Sequence, residues 1–148
     1  LSVFRDTYRP FFLVKNYSRI LVWRFTMDSE EKLKQQVIDV AKRFFAEQMS
    51  IKPESIMVDI HSDCLIITLH NAISRAETAY TKEKMSSNLL YRFYKDTFDA
   101  SKLIFEKAVC AVFPRYITGS FMSLHPESGK CVIVVSICDN TAKKTKAN

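Results

Sequence analysis

From Arg75 to Phe113 the chain keeps one helical rhythm, and Pro114 stops it. Leu89, Leu90, Phe93, Tyr94, Phe98, Ile104, Phe105, Val109 and Val112 mark a broad apolar stripe. Lys82, Lys84, Arg92, Lys95, Asp99, Lys102 and Glu106 fall largely off it. At 1.5 Å per residue such a helix runs to more than about 50 Å. A compact domain built from the 148 residues is only roughly 38 Å across. One straight buried helix is therefore too long for its own globule. The stretch must break, with Ser86-Ser87-Asn88 the expected place, or project and be covered by a partner. Homodimerisation through the stripe is the economical solution.

Ser74 precedes this stretch and Glu77 stands three residues on, the spacing of a capping box. Upstream, Leu33, Val37, Val40, Ala41, Phe44, Phe45 and Met49 recur at three-to-four spacing and predict a helix over about 29–49. Asp28 or Ser29 is its expected cap, and Pro53 lies just beyond its end. Ser55 to Ile60 and Cys64 to His70 read as a hairpin around His61-Ser62-Asp63. Tyr116 to Leu124 and Cys131 to Cys138 read as a second pair of strands around His125 to Lys130, a loop containing Pro126, Ser128 and Gly129. Helix, hairpin, helix, hairpin predicts an α+β two-layer sandwich: a mainly antiparallel four-stranded sheet covered by helices. Residues 27–138 form the body of this domain. Residues 1–26 form an N-terminal extension in which Phe11 to Val14 and Ile20 to Phe25 are strand-like; it is read as an extra strand, as cover for an apolar edge, or as mobile chain. Residues 139–148 are a polar, basic tail.

The net charge of +6 resides at the two ends. Arg5, Arg9, Lys15, Arg19 and Arg24 face only Asp6, and Lys143, Lys144 and Lys146 face only Asp139. The body between is neutral. Nucleic-acid binders concentrate positive charge on a folded face, so that class is disfavoured, although basic arms alone can touch phosphate or an anionic membrane surface. With only 2 glycines a glycine-rich nucleotide loop is excluded, and no cofactor motif stands out. No apolar run is long enough for a membrane span. Cys64, Cys110, Cys131 and Cys138 lack metal-knuckle spacing and read as buried free thiols of a reducing compartment. A cytoplasmic location follows from this as an expectation, with contact to a membrane through a partner.

Three stretches stand in a specific order and spacing: Ile56-Met57-Val58-Asp59-Ile60 with Asp63-Cys64-Leu65-Ile66-Ile67, then Ile73-Ser74-Arg75-Ala76-Glu77, then Ser123 to Lys130. Together they resemble the MpsC-like domain family. The resemblance covers about residues 30–138. Members tend to carry threonine-proline-alanine-glutamate where Ser74 to Glu77 stand, and often an aspartate where Leu124 stands. The chain departs from the family at both points, and the missing carboxylate weakens any ion-binding role for the final loop. The resemblance implies a component of a sodium-translocating, membrane-potential-generating system, associated with bicarbonate or cation transport.

Two functional classes follow. In the first, the chain is a non-enzymatic accessory or regulatory protein, dimeric and bound to a membrane transport protein. In the second, it is a small ligand-binding domain or enzyme. The second class needs His61, Asp63 and His125 in one cleft, since two turns at the same end of a sheet would bring imidazoles and carboxylates together. Solvated turns account for these residues equally well. Arg75 and Glu77, with Glu127 near His125, extend the candidate patch towards a small anion or a partner loop. Ordinary capping by Glu77 is the simpler reading of that pair. Cys64 near His61 raises a thiolate–imidazole pair, against the plainer reading of a buried strand cysteine.

Overall fold

Helix α1 spans Pro10–Met49. The computed structural model describes residues 10–138, with side chains from residue 26 onward; the basic tail expected over 139–148 lies outside the described residues. Proline suits the first turn of a helix, where its missing N–H leaves no bond unmade. The extra strand proposed for the N-terminal extension does not form over residues 10–26, which belong to α1. Aromatic and β-branched residues favour strands only where a pleated surface receives them. No glycine or proline separates Phe11–Val14 and Ile20–Phe25 from the periodic helix that follows, and extending an existing helix adds one bond per residue. Ser29 is accordingly not a cap: its hydroxyl donates to the Thr26 carbonyl at 2.8 Å, as mid-helix serines do. Backbone contacts divide the chain after Leu33 into two units, the second holding the rest of α1 and everything that follows.

In that second unit Val37, Ala41, Phe44, Phe45 and Met49 are buried, as their spacing predicts. Ser50 turns the chain with a left-handed φ of 54°, and the Ile51 amide donates back to the Phe45 carbonyl at 2.9 Å. Strands β1 (Ser55–Ile60) and β2 (Cys64–His70) form the expected hairpin, with Ile60 opposite Leu65 and Ser55 opposite His70. The long helical stretch does break, earlier than expected. Helix α2 covers Arg75–Tyr80 and α3 covers Lys84–Val112. Thr81 is buried at the joint and its hydroxyl donates to the Thr78 carbonyl at 2.8 Å. Strands β3 (Tyr116–His125) and β4 (Lys130–Cys138) complete an antiparallel sheet of order β1-β2-β4-β3. Both β2 and β3 are antiparallel to β4, so they run in the same direction with β4 between them.

One face of the sheet is core. Leu65, Ile67, Leu69, Cys131, Ile133, Val135 and Ile137 are buried. On the other face Cys64, Ile66, Thr68, His70, Val132 and Val134 are half-buried, and Met57 and Phe121 are exposed. Helix α3 lies along β3, where the Ser120 hydroxyl donates to the Glu106 carboxylate at 2.7 Å. Phe44, Phe45, Phe98 and Phe105 form the aromatic centre of the core, with ring centroids 5.0 Å apart for Phe44–Phe105 and 6.3 Å for the stacked pair Phe45–Phe98. Such pairs add about 0.5–1.5 kcal/mol each beyond area burial.

Candidate functional site

The chain leaves β2 at His70 and makes a sharp bend. Asn71 takes a left-handed φ of 51°, a conformation asparagine tolerates better than most residues, and its amide donates to the Glu54 carboxylate. The Ala72 amide then donates to the Gly129 carbonyl at 2.8 Å, docking the β3–β4 turn onto the β2–α2 link. Gly129 has φ +65°, where any side chain is strained, and a Cβ there would sit 3.5 Å from the Ile73 side chain. Two turns 57 positions apart in the chain are thus held together at one end of the sheet.

Ser74 and Glu77 form the expected capping box. The Ser74 amide donates to the Glu77 carboxylate at 2.6 Å, and the Glu77 amide donates to the Ser74 hydroxyl at 3.2 Å. The second carboxylate oxygen of Glu77 accepts from the Tyr94 hydroxyl at 2.5 Å, which ties α2 to α3. Burial alone would raise the Glu77 pKa, but the bonds from Tyr94 and Ser74 outweigh it and hold the carboxyl below its usual range. Burial, and then the Glu77 carboxylate, push the Tyr94 phenol up. The pair is therefore a fixed anion and a fixed donor at neutral pH. Glu77 and Tyr94 line a groove of about 780 Å³ together with Gln48, Lys52, Asn71 and Phe93. Its mixed walls offer one carboxylate, one ammonium, two amides and an exposed aromatic ring.

The candidate residues separate into two places. Arg75, His125 and Glu127 are exposed at the same end of the sheet as Glu77. The His125 ring Nδ1 lies 3.0 Å from the Ser128 hydroxyl, a contact within its own turn. His61 and Asp63 are exposed at the opposite end, where the Ile137 amide donates to the Asp63 carbonyl at 2.9 Å. The length of β2 separates the two turns by about 20 Å at 3.4 Å per residue. The expected cleft joining His61, Asp63 and His125 therefore does not exist. Among the described residues no group of three or more His, Cys, Asp or Glu side chains is arranged to hold a metal.

The cysteines are all free thiols. Burial pushes the Cys131 thiol up to about 12. Burial, and then the neighbouring Asp63, also raise Cys64, the opposite of the activation a thiolate–imidazole pair requires. Cys110 corrects the expectation of burial, since it is exposed on α3. Sequence reasoning missed Asn71 as the bend and Tyr94 as a polar tie. A buried tyrosine seeks a partner for its hydroxyl, and that was the available signal.

A family profile described as "Na+-translocating membrane potential-generating system (MpsC)" matches residues 29–139, most of the chain. The chain belongs to the MpsC family. No curated protein and no solved structure matches it. In this MpsC chain the stretches Ile73–Glu77 and Ser123–Lys130 meet at the groove end through the Ala72–Gly129 bond. The hairpin stretch beginning at Ile56 supplies β1 and β2. The family is thereby linked to a membrane ion-transport system, while no helix among the described residues is long and apolar enough to cross a membrane.

Proposed function

We propose that this MpsC-family chain is a non-catalytic accessory or regulatory component of a membrane ion-transport system. It acts through protein contacts and as a homodimer. The observation that carries this reading is the second face of α3. Tyr94, Phe98, Phe105 and Val109 are buried on one side. Met85, Leu89, Phe93, Leu103 and Ile104 lie within an arc of about 100° on the opposite side, each more than half exposed. Large apolar side chains gathered on one helix face mark an interaction surface rather than ordinary scatter. Coverage by a second copy answers the excess of apolar surface that the long helical stretch carries.

Sedimentation equilibrium on the whole chain tests the dimer. The expected result is a dimer mass that Leu89→Asp with Leu103→Asp converts to a monomer mass with the helical signal unchanged. A wild-type chain that stays monomeric at high micromolar concentration overturns the dimer. Co-expression with the membrane subunits of a sodium-translocating system tests the accessory role: co-purification supports it, and its absence removes that support.

A second reading, small-ligand binding, is favoured by the groove at Glu77 and Tyr94. It no longer involves His61 or Asp63. Phe93 belongs both to the groove and to the exposed face of α3, so a partner seated on that face would also meet the groove.

A further inference from the structure

The groove of about 780 Å³ carries two opposite charges. Of the side chains that line it, only Glu77 and Lys52 are ionised at neutral pH. Glu77 is fixed: the Ser74 amide holds one carboxylate oxygen at 2.6 Å and the Tyr94 hydroxyl holds the other at 2.5 Å. An ionised carboxylate has about four lone-pair sites, so each oxygen keeps one for a ligand. The Phe93 ring lies 5.4 Å from the Tyr94 ring, is exposed, and lines the same groove. A carboxylate beside an open aromatic face suits an ammonium group, which pairs with the one and is attracted to the other. Lys52 comes from a different segment, the link between α1 and β1. It is exposed and has no ion-pair partner among the described residues. Glu54, the acid closest to it in sequence, accepts from the Asn71 amide and does not line the groove. Met49, Ala72 and Ile73 are buried and give the groove an apolar base.

We propose that this groove binds a small apolar zwitterion, an amino acid or dipeptide, with its ammonium on Glu77 and Phe93 and its carboxylate on Lys52. The proposal rests on the small-ligand reading of the groove and names the class of ligand. The charges decide that class. A lone cation would meet Lys52, and a lone anion would meet Glu77. A molecule with one charge of each sign satisfies both, while its side chain covers the apolar base. The volume has room for a dipeptide as well as for one amino acid. The two share an ammonium, a carboxylate and apolar side chains, and differ in the distance between their charges.

Isothermal titration of the whole chain with L-leucine and with L-leucyl-L-leucine tests the proposal. Each is compared with its carboxamide, which lacks the carboxylate, and with its N-acetyl form, which lacks the ammonium. One of the two zwitterions is expected to bind at least about 10-fold more tightly than either of its blocked forms, and the tighter of the two identifies the source. Lys52→Glu changes an exposed side chain and should reverse the order, so that the carboxamide binds more tightly than the zwitterion. Glu77→Gln keeps a side chain that can close the capping box and should turn the preference towards the N-acetyl form. If both variants weaken every ligand alike and leave the order unchanged, the two residues are only structural and the proposal is overturned. A wild-type chain that prefers a blocked form also overturns it, while small-ligand binding stands. No heat from any of these compounds at millimolar concentration overturns the proposal as well. Amide NMR shifts over Asn71–Glu77 with a fragment library then decide the broader reading: shifts there uphold a ligand of another class, and their absence rejects a ligand site altogether.

Discussion

The two ends of the sheet are built differently. At one end the β1–β2 turn, His61-Ser62-Asp63, is a short reversal whose side chains are exposed. At the other, the β2–α2 link, the β3–β4 turn and the first turn of α3's neighbour α2 are bonded to each other, with the Glu77 carboxylate accepting from two donors. Histidines and carboxylates therefore do not by themselves mark a site. Both ends tie distant segments together, the first through the Ile137 amide on the Asp63 carbonyl and Arg115 on the Ser62 carbonyl; what distinguishes the second is that a side-chain carboxylate, Glu77, makes the tie and lines a groove.

The comparison breaks most visibly at Glu77. Glu77→Ala removes the capping box and leaves the hydroxyl of the buried Tyr94 without its acceptor, and should lower stability by about 2 kcal/mol in urea denaturation. Glu77→Gln sharpens the same point through pH. The folded carboxyl has its pKa below the unfolded value, so its contribution is fully present above the unfolded pKa and fades as pH falls through the folded one. Wild-type stability should therefore drop below about pH 4.5 more steeply than that of Glu77→Gln. A variant with an equally steep profile would show that other carboxylates govern the acid limb.

Gly129→Ala is next. It forces a Cβ into a left-handed backbone at the docked turn, and about 1–2 kcal/mol of lost stability is expected from the same denaturation measurement. At the opposite end the expected effect is smallest. Asp63→Asn should change stability by no more than about 0.5 kcal/mol. It should also speed alkylation of Cys64 by a small-molecule thiol reagent, because Asp63 is one of the groups holding that thiol up. An unchanged rate would leave burial as the sole cause.

Much of the architecture was legible in the residues. Alternation located all four strands, and the Ser74–Glu77 spacing located the start of α2 together with its reciprocal bonds. Helix length showed that a break was required, but not that Thr81 would provide it, because the serines at 86 and 87 look equally disruptive. The error over His61 and His125 came from treating each hairpin alone. Helix α3, about 44 Å long, carries the chain back along the sheet before β3 begins. Hence β3 starts at the end where β1 turns, and His125 arrives at the other. The groove was less legible, since Gly129 meets Asn71 and Ile73 only after β4 has inserted between β2 and β3, and Tyr94 meets Glu77 only once α3 folds against α2. The run from Phe11 to Phe25 misled in the opposite way: its strand-forming residues sit in a helix that no turn interrupts.

The sheet order also has a consequence for synthesis on the ribosome. The strand that occupies an interior position, β4, is the last of the four to emerge. Until residues 130–138 are released, β2 can pair only with β1, and β3 has no neighbour at all. Nascent chains at that stage display the open edge of β2 and an unpaired β3, a state prone to wrong pairing. Closure of this domain is therefore a late event set by its final hairpin, and truncation near that hairpin should leave only the β1–β2 pair of the sheet able to form.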